Sequence, residues 1–153
     1  MMICLDFTFN YYKRQSKGKS WKGGEMVSPD ENIKLVKSLY ESLSTRNMAR
    51  LKEIVTEDVT WDVTEGFPFG GIYKGLNNVL HEFYGQIMPH LDKFGTEHER
   101  FIDCRDCVVA LGYYLMTPKG SAEETRVRFA HIWGIRDGKI TGVWQVADSA
   151  KVP

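Results

Sequence analysis

The chain has 153 residues, 42% of them hydrophobic and 26% charged, the composition of one globular domain with a sizeable core. Its 20 basic and 20 acidic residues leave a formal net charge of zero, so no overall field draws a polyanion and nucleic acid is not an expected partner. No apolar run reaches the length that spans a bilayer, which excludes a membrane-spanning helix from the expectations.

The opening stretch MMICLDFTF is apolar, but its basic residues follow rather than precede it and Asp6 interrupts it, the reverse of a secretory signal. Three cysteines, Cys4, Cys104 and Cys107, fit no disulfide framework, so the chain reads as cytoplasmic. Residues 1–27 carry little pattern and read as a loosely ordered leader. Within them, Lys22-Gly23-Gly24-Glu25 before Met26 is what a purine-rich ribosome-binding sequence spells when translated in frame. Met26 is therefore expected to be the native start, with one domain over residues 28–153.

Structure is predicted to begin at Ser28-Pro29-Asp30-Glu31, where a capping serine, a first-turn proline and Glu31 form a capping box. A helix then runs to about Leu43, with Ile33, Val36, Leu39, Tyr40 and Leu43 on one face. Ser44-Thr45-Arg46-Asn47 breaks it, and a second helix is expected from Met48 to about Val55. Val59, Trp61 and Val63 alternate as a first strand. The loop Thr64–Gly71 is glycine-rich but lacks the spacing and the lysine of a phosphate-binding loop, and no other segment carries a cofactor fingerprint. Phe67 and Phe69, on either side of Pro68, need burial, so the loop is expected to fold over something apolar. The main helix is predicted from Leu76 to Met88, ended by Pro89.

From about Thr96 the pattern changes to strands, over 97–103, 107–117, 124–136 and 139–148. Cys104-Arg105-Asp106-Cys107 falls between two of them and reads as a hairpin turn with two ordinary thiols. With only His98 close by in sequence, no metal site is expected. Residues 107–117 are apolar on both faces, and a sheet with a single helical layer buries both only through a partner. A homodimer through the outer sheet face is the expectation. Helix, helix, strand, helix and then antiparallel strands give an α+β fold with helices on one face of a curved sheet.

The stretch Arg126–Asp148 holds the best candidate site. Val127, Phe129, His131, Trp133 and Ile135 recur at period two before the turn Arg136-Asp137-Gly138-Lys139, and the return strand places Val143, Gln145 and Ala147 on one face. A histidine and an amide on neighbouring strands, framed by tryptophans, can line a small-molecule pocket. The plainer alternatives are a core histidine bonded to a backbone carbonyl and an amide bonded to a neighbouring strand.

Several motifs in this order resemble the SnoaL-like, ketosteroid-isomerase-like branch of the NTF2-like superfamily, the α+β cone. They are Tyr40-Glu41-Ser42-Leu43 with Asn47, Asp58-Val59-Thr60-Trp61, Pro68-Phe69-Gly70-Gly71-Ile72-Tyr73-Lys74-Gly75, and Phe129-Ala130-His131-Ile132-Trp133 with Gln145-Val146-Ala147-Asp148. The resemblance implies three N-terminal helices packed on the concave face of a mostly antiparallel sheet, with a ligand between the two layers. It implies a pocket lined by Trp61, Phe67, Tyr84 and Trp133 as ligand contacts. His131 would be the acid or base, with Tyr73 or Gln145 polarising a ligand oxygen. His131 matches the position where ketosteroid isomerases keep a protonated aspartate. The two family positions for a carboxylate base fall at Val63 and Gln145, neither of which takes a proton, while by alternation Asp62 and Asp148 point away from the pocket. An isomerase- or cyclase-type enzyme acting on a small apolar carbonyl compound, a non-catalytic binder and a structural dimer module all remain open at this point.

Overall fold

The structure is a computed structural model and describes residues 29–153; Ser28 of the capping box, the leader, Cys4 and the expected start at Met26 lie outside the described residues. Helix α1 spans Pro29–Ser44 and α2 spans Met48–Ile54, the latter capped by Asn47, whose side chain accepts from the Arg50 N–H at 3.1 Å. Strands β1 (Val55–Val63) and β2 (Gly71–Lys74) precede a composite helix α3, residues 76–90. Four strands follow, β3 (Leu91–Asp103), β4 (Cys107–Pro118), β5 (Thr125–Arg136) and β6 (Lys139–Ala147).

They form one curved, unclosed six-stranded sheet in the order β2-β1-β6-β5-β4-β3. Every neighbouring pair is antiparallel except β1 with β6. The helices pack on the concave face, and the fold is the α+β cone. The core lies between the layers, where Val36 and Leu39 of α1 and Leu51 of α2 share a cluster with Val59, Val108, Val127 and Ile140 of the sheet. The period-two row expected for β5 is buried throughout, Val127, Phe129, His131, Trp133 and Ile135; of the β6 row Val143 and Gln145 are buried and Ala147 is half-buried.

Three boundaries differ from the sequence reading. Strand β1 starts at Val55, directly after α2, because the backbone turns extended at the helix C-cap and a register shift between Val55 and Thr60 absorbs the irregular residues between. Strand β3 starts at Leu91, well before Thr96. It lies at the sheet edge, so its first residues pair with β4 without the alternation that burial imposes on inner strands. The third helix does not end before Pro89. It comprises α turns at Leu76–Asn78 and Gly85–Ile87 around a π segment, Val79–Tyr84, and closes in a 3-10 turn, Met88–His90, that accepts the proline in its first turn.

The hairpin between β3 and β4 is the tight turn expected of the two cysteines. Cys104 N–H donates to the Cys107 carbonyl at 2.8 Å, and Arg105 takes a positive φ of 77°. Burial, and then the neighbouring Cys104, push the Cys107 thiol up to about 12, so it stays protonated and unreactive at neutral pH. On the outer face Arg126 and Arg128 lie over the Tyr113 ring, with Arg126 held bidentate by Glu97 at 2.8 Å and 2.8 Å.

The sheet closes most tightly where Gly112 of β4 meets β3, since a Cβ there would sit 2.1 Å from the Glu97 carbonyl oxygen. Gly112→Ala must move one strand off the other and is expected to cost about 1–3 kcal/mol. Urea denaturation reads this as a lower midpoint at unchanged slope, and an unchanged midpoint contradicts the close approach.

Candidate functional site

Between α1, α3 and the sheet lies a cavity of about 740 Å³. Its walls are apolar and aromatic, with Leu43 of α1, Leu80, Tyr84 and Met88 of α3, Trp61 of β1, Phe94 of β3, and Trp133 and Val143 of the hairpin. Exposed Arg46, Met48, Asp92 and Lys93 also line it and form its mouth. The polar floor comes from His131, Gln145, Tyr40 and Tyr114, on four different elements.

Strand register assembles that floor. His131 stands opposite Gln145 on β6 and Ala110 on β4, and Gln145 also lies level with Val63 on β1. The imidazole is 5% exposed and stacks on Phe129, with ring centroids 4.0 Å apart and planes 8° from parallel. Its Nδ1 lies 2.6 Å from the Tyr40 hydroxyl, and its Nε2 lies 2.6 Å from the Tyr114 hydroxyl. The partners are two phenols, where the plainer sequence alternative had a backbone carbonyl. Each phenol oxygen also accepts an N–H: Tyr40 from Trp133 Nε1 at 2.9 Å, Tyr114 from Gln145 Nε2 at 3.2 Å. Gln145 is itself fixed, its Oε1 accepting from the Thr64 N–H at 2.9 Å and its backbone carbonyl from the Thr64 hydroxyl at 2.6 Å.

Electrostatics keep this network neutral. Burial, and then the nearby His98, bring the His131 pKa down to about 3. Burial likewise raises the Tyr40, Tyr84 and Tyr114 hydroxyls well above the usual phenol range. The Tyr84 hydroxyl has no hydrogen bond to any described residue and is free to donate to a ligand, its ring set edge-on to Trp61 at 6.2 Å.

Of the residues singled out from sequence, Trp61, Tyr84, His131, Trp133 and Gln145 line the cavity together, whereas Phe67 and Tyr73 are not on its wall. Phe67 is buried against Phe83 and Tyr114, behind the floor, because the turn that closes its N–H onto the Thr64 carbonyl at 2.9 Å folds the loop inward there. The Tyr73 hydroxyl instead donates back to the Phe69 carbonyl at 2.5 Å. Tyr40 and Tyr114 were missed as site residues, since tyrosines in apolar rows read as core. The overlooked signal is that a buried phenol needs a hydrogen-bond partner, and His131 was the polar residue in the facing row.

The carboxylates stay off the floor. Asp62 is absent from the lining; burial and then the neighbouring Glu65 hold its carboxyl above the usual range. Asp148 is exposed and sits 3.5 Å from Lys151. Asp92 reaches the cavity only at the mouth, where it accepts from the Gly120 N–H at 2.8 Å. Among the described residues no group of three or more acids, histidines and cysteines is placed to hold a metal. No described helix is long and apolar enough to cross a membrane.

A profile of the SnoaL-like domain family matches residues 36–143. The chain belongs to the SnoaL-like family. Solved structures carry the same NTF2-like fold. An NTF2-like protein from Burkholderia thailandensis E264 superposes with a TM-score of 0.71 at 21% identity, covering 82% of this chain and 95% of that one. TerC, co-crystallised with polyporic acid, gives 0.70 at 26% identity over 80% and 94% of the two chains. A putative isomerase from Rhodopseudomonas palustris gives 0.62 at 22% identity over 79% and 91%. A comparison with curated proteins gives no match. This SnoaL-like chain therefore has the family's cone with a histidine between two tyrosines on its floor.

The depressed His131 pKa has a consequence for stability. An unfolded histidine takes up a proton near pH 6.5 while the folded one stays neutral down to about 3, so between those values the unfolded chain binds more protons. Stability falls as pH is lowered through this window, by roughly 2 kcal/mol from this group between pH 7 and pH 5. His131→Gln, which cannot protonate, is expected to remove that part of the acid limb in urea titrations at the two pH values. An unchanged limb contradicts a neutral buried imidazole.

Proposed function

We propose that this SnoaL-like chain is a cytoplasmic homodimer that binds a small, mostly apolar carbonyl compound in the cone cavity and acts on it as an isomerase- or cyclase-type acid–base enzyme. The observation that carries the reading is the hydrogen-bonded set Trp133–Tyr40–His131–Tyr114–Gln145 on the floor of an otherwise apolar 740 Å³ cavity. Such a cavity takes a ligand by its apolar surface and fixes it through a few converging polar atoms. Phenol hydroxyls beside a neutral imidazole supply hydrogen-bond donors to an oxygen that gains negative charge as the reaction proceeds. TerC's co-crystallisation with polyporic acid supports a ligand of similar kind for this fold.

One observation favours a second reading, binding without chemistry. The family's base positions hold Val63 and Gln145, and the Gln145 amide is already engaged by Thr64 and Tyr114. Two measurements separate the readings. Mass spectrometry of freshly purified protein identifies a retained ligand, and titration with that ligand or with polyporic acid is followed by fluorescence of Trp61 and Trp133 on the wall. His131→Ala and Gln145→Asn are expected to lower turnover with little change in affinity if the protein is an enzyme, and to change affinity alone if it is a binder. A cavity-filling Leu80→Trp that leaves ligand affinity unaltered overturns the pocket reading itself.

The outer sheet face supports the dimer. Ile102, Trp144 and Val146 are 37%, 39% and 39% exposed, and half-buried Val109, Leu111 and Ile132 lie on the same face, an apolar patch that a second copy would cover. Trp144→Lys with Val146→Lys is expected to give a folded monomer in light scattering. A mass of two chains for this variant counts against the interface.

A further inference from the structure

The protons on the cavity floor cannot be shared out evenly. A neutral imidazole has one N–H and one lone pair, and both His131 nitrogens face a phenol at the same 2.6 Å. One tyrosine must therefore accept from His131 while the other donates to it. The accepting tyrosine already takes an N–H from Trp133 or Gln145, so both its lone pairs are used and its own hydroxyl proton has no partner among the described residues. The donating tyrosine keeps one lone pair unused. Both phenols line the cavity, so the floor offers one spare donor and one spare acceptor. Moving the imidazole proton from Nδ1 to Nε2 exchanges the two ends. The arrangement is near-symmetric, with equal distances to His131 and one additional N–H donated to each phenol.

We propose that Tyr40, His131 and Tyr114 form a neutral proton relay that tautomerises an enolic carbonyl ligand, with the hydroxyls of Tyr40 and Tyr114 as the catalytic groups and His131 as the group that couples them. The proposal rests on the ligand reading above and removes its main difficulty, the missing carboxylate. Take the state with the proton on Nδ1. The enol O–H of the ligand gives its proton to the Tyr114 oxygen as Tyr114 passes its own to Nε2. Nδ1 passes its proton to the Tyr40 oxygen, and Tyr40 delivers its own to the ligand's enol carbon. In the ligand the O–H electron pair becomes the carbonyl π bond, and the former C=C π pair becomes the new C–H bond. Each protein group ends with the number of protons it began with, and His131 is in its other tautomer. No ion forms, which suits a cavity where burial disfavours both imidazolium and phenolate. A water that enters by the mouth and bridges the two hydroxyls resets the relay: it gives a proton to the Tyr40 oxygen as Tyr40 passes its own to Nδ1, and takes the Tyr114 proton as Nε2 passes its own to the Tyr114 oxygen.

The wiring is tested on the ligand-free full chain by nitrogen-15 NMR of its labelled histidines. In the wild type the two ring nitrogens of His131 are expected at intermediate, temperature-dependent shifts, showing that neither holds the proton fully. Tyr114→Phe is expected to fix the proton on Nδ1 and Tyr40→Phe to fix it on Nε2, each toward the remaining phenol. A wild-type His131 held in one tautomer, or protonated at both nitrogens, overturns the relay even where a variant fails to fold. The chemistry is tested with 2-acetylcyclohexanone, whose enol and diketone differ in ultraviolet absorbance. The wild type is expected to accelerate their interconversion, and either single Phe variant to lose about 100-fold or more. The double variant is expected to be no slower than the singles, because each single already breaks the chain. Independent, additive losses, or no acceleration by a wild type that binds the probe, overturn the proposed step. A probe that fails to quench Trp61 and Trp133 strikes the ligand reading instead, and the wiring is then decided by the nitrogen-15 spectra.

Discussion

The inside of this cone depends on a buried imidazole that has no charged partner. A histidine among Phe129, Trp133 and two tyrosines loses its hydration, and no carboxylate on the floor compensates a positive charge. It stays neutral, and its two nitrogens must be satisfied by neutral groups of opposite sense. Two phenols meet that demand, and each phenol is in turn held by an N–H from a side chain that is itself anchored. The polar set thus runs as one chain across α1, β4, β5 and β6 and ties the helix layer to the sheet. Trp133 and Tyr40 make the link from sheet to helix. Gln145 and Thr64 extend it to the loop after β1.

Much of this was legible in the sequence, and what was missed has physical causes. The hairpin Arg126–Asp148 gave its inward row at once, because β5 alternates strictly from Val127 to Trp133 and the turn Asp137-Gly138 adopts the positive φ values its residues favour, 51° and 70°. The fold followed from element order and from the motifs that carry the family resemblance. Tyr40 and Tyr114 were harder. A tyrosine at helical or strand spacing looks like a large apolar residue, and only the register that sets Tyr114 and His131 on adjacent strands shows what its hydroxyl does. Phe67 and Tyr73 went the other way. Their loop was expected to fold over something apolar, and Phe67 does so, but the turn at Thr64 packs it behind Tyr114 and off the cavity wall, while the Tyr73 hydroxyl bonds back to Phe69. A turn of that kind depends on local backbone geometry that residue type alone does not specify.

The π segment in α3 was also invisible to periodicity, since an apolar stretch of this length fits either kind of turn. Its wider turn lies beside the cavity, where Leu80, Tyr84, Gly85 and Met88 contribute to the wall, and it belongs with the departures from regular helix that gather at functional sites. On the opposite side, β1 joins β6 by the sheet's single parallel pairing, which sets Val63 level with Gln145. Position 63 therefore shares a row with the floor, and with valine there β1 brings no charge into that row.

At the centre of the hairpin the two faces of the sheet differ in kind. His131 faces Gln145 on the inside, while Ile132 faces Trp144 on the outside. At this point the usual sorting is inverted, with polar side chains toward the core and apolar ones toward water. Because strand period is two, a slip of one residue would trade these sets, and local hydrophobicity would favour the slip. The correct alignment is therefore imposed from a distance, by Phe129 and Trp133 on β5 and Ile140 and Val143 on β6, which all bury their side chains in the native register. The chemistry-bearing row is a guest in a frame built by its neighbours. Substitution at the central pair alters the chemistry of the floor while Phe129, Trp133, Ile140 and Val143 still hold the two strands in register.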